Sequence, residues 1–194
     1  MYIIMNKGDN IYTRLQLNYY EGQGIKEGKG MDENNHQHHN NNKDYWEILV
    51  KDTETNFQNK VGLDFGCGCG RNIQNIWKRF KRFDGVDISP NLINLTKKNL
   101  IKDNIPDERY KLYVCNGVDL HNIESEQYDF IMSTIVLQHI CVYDIRFSYL
   151  KEFYRLLKSD GLLSFQMGYG RGKATVQYSE NYYNALGTNS KCDV

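Results

Sequence analysis

The sequence has no excess of charge of either sign and no long apolar run. Its 24 Lys and Arg side chains balance 24 Asp and Glu side chains, so the formal net charge is zero. Because nucleic-acid-binding domains usually carry a strongly basic surface, we expect no nucleic-acid partner. No segment is apolar enough to cross a membrane, and no charged and apolar leader opens the chain. These absences predict a cytoplasmic protein with no membrane partner.

Cysteine is scarce and scattered. The chain has 5 cysteines, an odd number, at positions 67, 69, 115, 141 and 192. This spacing does not predict a disulfide framework, and reduced thiols in a cytosolic protein are the simpler interpretation. At 194 residues the chain is long enough for one domain with a full hydrophobic core and hardly long enough for two.

The first 43 residues differ in character from the rest. Residues 11–20 alternate in a two-residue pattern that predicts a β-strand. Residues 34–42 are almost all Asn and His, which predicts a mobile loop. His36, His38 and His39 in this loop could bind a metal ion. No carboxylate or cysteine stands at ligand spacing from them, so we predict no metal site.

A strand, a glycine-rich turn and a helix follow one another between residues 61 and 80. Residues 61–65 are typical of a buried strand, and the turn after it contains Gly66, Gly68 and Gly70. Helical spacing then places four apolar side chains on one face, namely Ile73, Ile76, Trp77 and Phe80. Glycine lets the backbone approach a ligand closely, and the free N–H groups at a helix start favour an anion. The pattern predicts a ligand-binding turn.

Strands and helices alternate through the rest of the chain. We predict strands at 83–88, 110–115, 129–133 and 162–167, and a turn at 156–161 leads into the last one. We predict helices at 44–52, after Pro90 and at 144–158, with Ser89 as the cap of the second. In the third helix the predicted buried face is Phe147, Leu150, Tyr154 and Leu157. This order predicts an α/β fold, Rossmann-like and doubly wound, with a mainly parallel sheet, helices on both faces and ligands at the carboxyl ends of the strands.

Three ligands are compatible with a glycine-rich turn of this kind. A P-loop needs a Gly-Lys-Ser/Thr ending, which is missing, and a dinucleotide site prefers G-x-G-x-x-G over the G-x-G-x-G found here. The stretch L-D-F-G-C-G-C-G-R resembles motif I of the class I S-adenosylmethionine-dependent methyltransferases, of the small-molecule type. By this resemblance Asp64 holds the ammonium group of S-adenosylmethionine, directly or through water, and Gly66, Cys67 and Gly68 line the cofactor.

Later segments resemble further motifs of the same family, so the resemblance spans about residues 44–170. It implies that Asp87 accepts the ribose hydroxyls, that Ile88 packs on the adenine, and that Asn116 accepts from the adenine amino group. Gly117, Val118 and Ser133 complete the implied cofactor site. Two alternatives stay open: Asp87 as a helix-start carboxylate, and Asn116 as part of an ordinary Asn-Gly turn.

The chemistry of methyl transfer asks little of the protein. It is an in-line displacement with a neutral thioether leaving group, so alignment and a water-poor site supply most of the catalysis. We therefore assign no catalytic residue. His139 and Tyr169 are candidates for a general base, and helix packing or capping is the alternative role of His139.

The proline content narrows the methyl acceptor. The chain has 2 prolines, Pro90 and Pro106, so it lacks the Asn/Asp-Pro-Pro-Tyr motif of amino-group DNA methyltransferases and the Pro-Cys pair of cytosine-5 enzymes. We predict a small-molecule acceptor, with S-adenosylhomocysteine as product. The alternatives are a truncated module that binds the cofactor without turnover and an NAD-dependent oxidoreductase.

The chain after the fifth predicted strand is short. By the resemblance, relatives add a long segment and an antiparallel strand pair there, and residues 171–194 leave no room for the two strands. We expect an N-terminal extension at 1–43, the cofactor-binding domain at 44–170 and a tail at 171–194, in a chain that is either a shortened member or a cut one. Because the fifth strand then forms an apolar edge, we expect the tail or a second copy of the chain to cover it, with a homodimer favoured.

Overall fold

The structure is a computed structural model that describes residues 11–30, 46–51, 53, 55–140 and 142–167. Its centre is a parallel sheet of 5 strands among these residues. The strands are β1 (Val61–Phe65), β2 (Arg82–Asp87), β3 (Leu112–Val114), β4 (Tyr128–Ser133) and β5 (Leu157–Phe165). They lie in the order β3-β2-β1-β4-β5. Strands β2 and β3 therefore lie on one side of β1, and β4 and β5 lie on the other side. Ligands of open parallel sheets bind at such a switch point, beyond the carboxyl ends of the central strands.

The helices connect these strands and precede them. They are α1 (Ile11–Gly30), α2 (Trp46–Leu49), α3 (Arg71–Ile76), α4 (Pro90–Lys102) and α5 (Tyr143–Leu156). Short 3-10 turns follow at Trp77–Arg79, Asp107–Arg109 and Leu137–His139. The start of α4 is as predicted, because the Ser89 hydroxyl accepts from the Leu92 N–H at 3.1 Å and Pro90 takes the first helical position.

Apolar side chains cover both faces of the sheet. On one face Phe65 packs against α5, with its ring centroid 4.6 Å from that of Tyr149 and 4.9 Å from that of Phe153. On the other face Phe80 and Phe130 pack with Trp46 in a second aromatic cluster. The predicted α/β class with helices on both faces is confirmed.

The predicted strand at 11–20 is wrong, because these residues belong to helix α1. The buried side chains in its described part are Tyr12, Thr13 and Gln16, at a spacing that only a helix brings to one side. The two-residue alternation was misleading because tyrosines occur at both odd and even positions, namely at 19 and at 12 and 20. The odd and even positions therefore do not form one apolar face and one polar face.

The predicted buried face of α5 is wrong at two of its four positions, since Leu150 and Leu157 pack partly buried against the core whereas Phe147 and Tyr154 do not. Phe147 is 45% exposed and Tyr154 is 85% exposed. The face that packs on the sheet carries Ile145, Arg146, Tyr149, Phe153 and Leu156. Both faces of this helix have apolar side chains at helical spacing, so periodicity alone could not choose between them. The aromatic contacts with Phe65 decide which face is buried.

Several predicted boundaries need correction. The helix predicted at 44–52 is, among the described residues, a single turn at Trp46–Leu49. The α-helix after the glycine turn ends at Ile76, so Trp77 lies in a 3-10 turn and not in the helix. Strand β5 starts at Leu157 rather than at 162, because a register irregularity between Tyr128 and Phe130 accommodates the residues predicted as a turn.

Strand β5 lies at the end of the sheet order and pairs with β4 among the described residues. Its Phe165 is 40% exposed. The predicted covering of this edge, by the tail or by a second copy, stays a prediction. The tail at 171–194, the Asn/His tract at 34–42, Cys141 and Cys192 lie outside the described residues. No helix in the described part of the chain is long and apolar enough to cross a membrane.

Candidate functional site

The turn after β1 is built from glycines in the left-handed region. The φ angles are 73° at Gly66, 56° at Gly68 and 88° at Gly70. A Cβ on Gly66 would lie 2.3 Å from Val136, and one on Gly70 would lie 2.7 Å from Thr96. A Cβ on Gly68 would meet nothing within 4 Å. Packing therefore requires two of these glycines, whereas Gly68 faces open space where a ligand has room to approach the backbone.

Asp64 is a fully buried carboxylate directly below this turn. Its two oxygens accept from the Asn72 side-chain amide at 3.3 and 3.2 Å. Burial raises the pKa of Asp64 to about 7, because desolvation disfavours the charged form and a neutral amide compensates little. A cation beside this carboxylate would stabilise its ionised form, so the position suits the ammonium group of a ligand.

Asp87 ends β2 and connects the glycine turn to the start of α4. Its Oδ2 accepts from the Gly68 N–H at 2.9 Å, and its Oδ1 accepts from the Ser89 N–H at 3.0 Å. The helix-start role considered for this residue is therefore present. An ionised carboxylate has about four acceptor sites, so one carboxylate can accept hydrogen bonds from several groups at once. Its predicted contact with ribose stays a prediction.

The loop after β3 brings Asn116, Gly117 and Val118 beside Ile88. The Asn116 Oδ1 accepts from the Val118 N–H at 2.8 Å and from the Asp119 N–H at 2.9 Å. This is the Asn-Gly turn that stood as the alternative, and Gly117 takes a φ of 83° within it. A Cβ on Gly117 would lie 2.8 Å from Cδ1 of Ile88. Two residues predicted to line the adenine thus adjoin each other, while the adenine contact of Asn116 stays a prediction.

The carboxyl end of β4 contains two features that mark a functional region. The Ser133 hydroxyl is fully buried and has no hydrogen-bond partner within the part of the chain that the structure describes. Two residues later Ile135 has a φ of 60°, a left-handed conformation that is costly for a β-branched side chain. Orphaned buried hydroxyls and backbone strain of this kind are concentrated at ligand sites. Ser133 was predicted as a cofactor residue, whereas no sequence pattern indicated the strain at Ile135.

His139 lies at the end of the 3-10 turn that follows. Its backbone carbonyl accepts from the Tyr12 hydroxyl at 3.4 Å and from the Gln16 side-chain amide at 3.3 Å. The imidazole is half-buried, with its Nε2 3.5 Å from the Gln138 side-chain nitrogen. Tyr169 lies outside the described residues. The role of either residue as a general base stays a prediction.

Several polar side chains that hold the turn were missed in the sequence. The Thr96 hydroxyl donates to the Gly68 carbonyl at 2.7 Å, and the Asn99 amide donates to the Cys69 carbonyl at 2.9 Å. Both project from α4, three residues apart on one face, beside its buried apolar side chains. Polar groups on the inner face of an amphipathic helix were the signal that could have revealed them. Asn72, which links Asp64 to the Thr134 hydroxyl at 3.1 Å, had no such signal.

The three cysteines that the structure describes form no disulfide with one another: Cys67, Cys69 and Cys115. Burial raises the pKa of the Cys67 thiol, and nearby Asp87 and Asp64 raise it further. Cys67 is therefore neutral and acts as a small buried side chain under the turn. In the described ranges no group of three His, Cys, Asp or Glu side chains is placed to hold a metal ion.

These features match a known family. A family described as a methyltransferase domain matches residues 63–165, more than half of the chain. The chain belongs to this methyltransferase family, and the predicted membership of the class I S-adenosylmethionine-dependent methyltransferases is confirmed. S-adenosylmethionine is the cofactor of this class. The residues present fit it, since the glycine turn has open space at Gly68, Asp64 suits an ammonium group and the Ser133 hydroxyl lacks a partner.

The chain spans only part of the length of each relative that it matches. An uncharacterized methyltransferase of Schizosaccharomyces pombe is 32% identical over 92 residues, which cover 44% of this chain and 32% of the relative. The phosphoethanolamine N-methyltransferase 2 of Haemonchus contortus, solved with phosphomonomethylethanolamine and S-adenosylhomocysteine, is 25% identical with a TM-score of 0.54. That match covers 72% of this chain and 30% of that enzyme.

A third likeness concerns the fold alone. The geranyl diphosphate C-methyltransferase of Streptomyces coelicolor is 20% identical with a TM-score of 0.52, over 62% of this chain and 42% of that one. In each of these matches the chain spans less than half of the relative. The family and the fold are therefore shared, whereas the activity of the whole relatives is not carried over by the likeness.

Proposed function

We propose that this chain binds S-adenosylmethionine at the glycine turn and directs its methyl group to a small-molecule acceptor. The observation that carries the proposal is Asp64, a fully buried carboxylate below a glycine turn whose central residue, Gly68, faces open space. A buried carboxylate costs stability unless a cation compensates it, and a bound ammonium group supplies that compensation. Membership of the methyltransferase family agrees with this reading.

The side chains around the carboxyl ends of the strands have separate binding roles in this proposal. Asp64 takes the ammonium group directly or through water, and Asp87 accepts the ribose hydroxyls. Ile88 and the neighbouring Gly117 take the adenine, together with Asn116 and Val118. The buried Ser133 hydroxyl gains the hydrogen-bond partner that it lacks. The backbone of Gly66, Cys67 and Gly68 forms the floor.

The chain contributes alignment rather than acid–base chemistry. When bound, S-adenosylmethionine supplies an electrophilic methyl group on a sulfonium. Asp64 would hold the ammonium group and Asp87 the ribose, so together they would restrict the orientation of the bound cofactor. The apolar side chains of Ile88, Ile135 and Val136 exclude water from the turn region, which favours displacement over hydrolysis.

Charge and a relative support a small molecule as the acceptor. The formal net charge of zero offers no electrostatic attraction for a nucleic acid. The Haemonchus contortus relative, at 25% identity, is named for a small phosphorylated amine. Cys67, Cys69 and Cys115 form no disulfide among the described residues, which is compatible with a cytoplasmic location.

Calorimetry with S-adenosylhomocysteine and with NAD tests the cofactor. We expect saturable binding of the first and none of the second; the reverse result would support the oxidoreductase alternative. Transfer of a labelled methyl group to a panel of small amines, phenols and acids, with RNA and unrelated protein as parallel acceptors, then tests turnover. Binding without transfer to any acceptor would support the binding-module alternative, and label in RNA or protein would contradict the proposed acceptor class.

A further inference from the structure

Helix α1 lies across the loops that carry the proposed cofactor site. Its Glu21 contacts the start of α4, directly after Asp87 and Ile88. Its Thr13 adjoins Gly117 after β3, since a Cβ on Gly117 would lie 3.1 Å from the Thr13 Cγ2. Its Gln16 donates to the His139 carbonyl after β4 at 3.3 Å. One helix therefore spans the loops after β2, β3 and β4.

The attachment of α1 is largely polar. Of its described side chains Tyr12, Thr13 and Gln16 are buried, and two of these three are polar. The helix also contains glycines at positions 22, 24, 28 and 30, and glycine lowers the intrinsic stability of a helix. A helix with few buried apolar side chains and weak intrinsic stability is an element that opens locally at low cost.

Glu21 makes the most concentrated of these attachments. Its Oε1 accepts from the Ser89 hydroxyl at 2.7 Å and from the Asn91 N–H at 3.1 Å, and its Oε2 accepts from the Asn91 side-chain amide. The carboxylate thus sits at the N-terminus of α4, where the helix dipole and free N–H groups favour negative charge. Hydrogen bonds to an ionised group are stronger than those between neutral groups.

The Glu21 attachment is also linked to the proposed ribose carboxylate. The Ser89 N–H donates to Asp87 at 3.0 Å, while the Ser89 hydroxyl donates to Glu21. Glu21 and Asp87 therefore both accept hydrogen bonds from Ser89. Because the bond from the Ser89 N–H to Asp87 uses no atom of α1, release of Glu21 leaves that bond in place.

We propose that α1 is a gate over the cofactor site and that Glu21 is its latch. The proposal rests on the cofactor site proposed above. The Glu21 hydrogen bonds that form the latch join α1 to the start of α4 and involve no atom of the cofactor. Their loss therefore lowers the free-energy barriers for cofactor entry and for cofactor exit by the same amount. Loss of the latch then accelerates both exchange steps and leaves the equilibrium affinity nearly unchanged.

The test measures the association and dissociation rate constants of S-adenosylhomocysteine by surface plasmon resonance on the full chain. We expect Glu21→Ala to raise both constants by about tenfold, the size set by loss of hydrogen bonds to a charged group, with the Kd within about threefold of the parent. The rate constants of Glu21→Gln, which keeps one acceptor oxygen, should lie between those of the parent and those of Glu21→Ala. Asn18→Ala removes an exposed polar side chain of the same helix and serves as the matched control, with parental constants expected.

Amide exchange over residues 12–22 provides a second measurement. Glu21→Ala should lower protection there while leaving protection of the β1 and β4 amides at the parental level. Parental rate constants in Glu21→Ala would overturn the gate, and so would a rise in the dissociation constant alone, which would make Glu21 a support for the bound ribose. If Glu21→Ala does not fold, Gln16→Ala, five residues earlier in the helix, should show the same paired acceleration. Failure of both to fold would show that α1 belongs to the obligatory core and would overturn the gate.

The two proposals fail in different ways. Absence of S-adenosylhomocysteine binding by the parent chain overturns the proposed function, and the gate with it. Normal binding by the parent together with unchanged exchange in the Glu21 variants overturns the gate alone.

Discussion

Two fully buried carboxylates on neighbouring strands show what separates a structural group from a functional one. Asp84 on β2 accepts from the Arg82 guanidinium at 2.9 Å, the Tyr128 hydroxyl at 3.0 Å and the Lys111 N–H at 2.8 Å. Asp64 on β1 accepts from the neutral amide of Asn72. Both are 0% exposed. The protein compensates the charge of Asp84 with its own groups, whereas Asp64 gains most from a cation that arrives with a ligand.

The largest effect should come from removing the fully paired carboxylate. Asp84→Ala leaves the Arg82 guanidinium, the Tyr128 hydroxyl and the Lys111 N–H without their acceptor. Breaking a buried ion pair from one side costs about 3–5 kcal/mol. Urea denaturation should show a loss of this order in the free energy of unfolding. Asp160→Ala removes an exposed carboxylate of β5 and should leave stability nearly unchanged; equal losses in the two variants would contradict a structural role for Asp84.

The comparison also shows which parts of the site were accessible to sequence reasoning. The buried run of β1, the three glycines and the Ser89-Pro90 start of α4 were predictable, because each depends on a local preference for burial, left-handed φ or capping. The hydrogen bonds from Thr96 and Asn99 to the glycine turn were not predictable in full. Polar residues on the inner face of a helix indicate a buried contact, but they do not identify its partner. The strain at Ile135 had no local signal; the residue after it, Val136, lies against Gly66 of the glycine turn.

The two wrong assignments have a common physical cause. In α1 and α5 the sequence offers more than one face with apolar or aromatic side chains, so periodicity could not select the buried one. For α5 the choice is made by Phe65, which packs on Tyr149 and Phe153. Tyr143 and Phe147 instead stack on the outer surface, with centroids 6.1 Å apart. Such choices depend on distant parts of the chain and have no local signature.

A middle-sized effect is expected at the proposed ribose carboxylate. Asp87→Ala should weaken S-adenosylhomocysteine binding by about 1.5–3 kcal/mol, the range for hydrogen bonds to a charged group. Part of that loss comes from the Gly68 and Ser89 N–H groups, which lose their acceptor. Calorimetry measures the change, and Asp103→Ala at the exposed end of α4 is the control. An unchanged affinity would mean that the ribose is held elsewhere.

The edge of the sheet gives a prediction about assembly. Because β5 ends the sheet order and Phe165 is 40% exposed, we propose that two copies of the chain associate along this strand. Light scattering at micromolar concentration should give the mass of a dimer, and Phe165→Lys should shift it to a monomer. Tyr154→Lys, on the exposed face of α5, should leave the mass unchanged. A monomeric parent chain would end this proposal.

The sharpest test of the comparison lies in the pH dependence of stability at Asp64. Its pKa is raised from 3.8 to about 7 by burial, so between these values the folded chain holds a proton that the unfolded chain releases. Stability therefore falls as pH rises through this window, because the folded state binds more protons.

Asp64→Asn keeps the shape and removes the titration. The variant should be more stable than the parent at about pH 8 and nearly equal to it at about pH 4, below the folded pKa. Urea midpoints at the two pH values measure the difference, with Asp160→Asn as the exposed control. At pH 8, S-adenosylhomocysteine should restore the stability of the parent and do so much less for Asp64→Asn, since only the parent offers a charge to the ammonium group. A variant less stable than the parent at pH 8 would show that the chain already compensates this carboxylate, as it does Asp84.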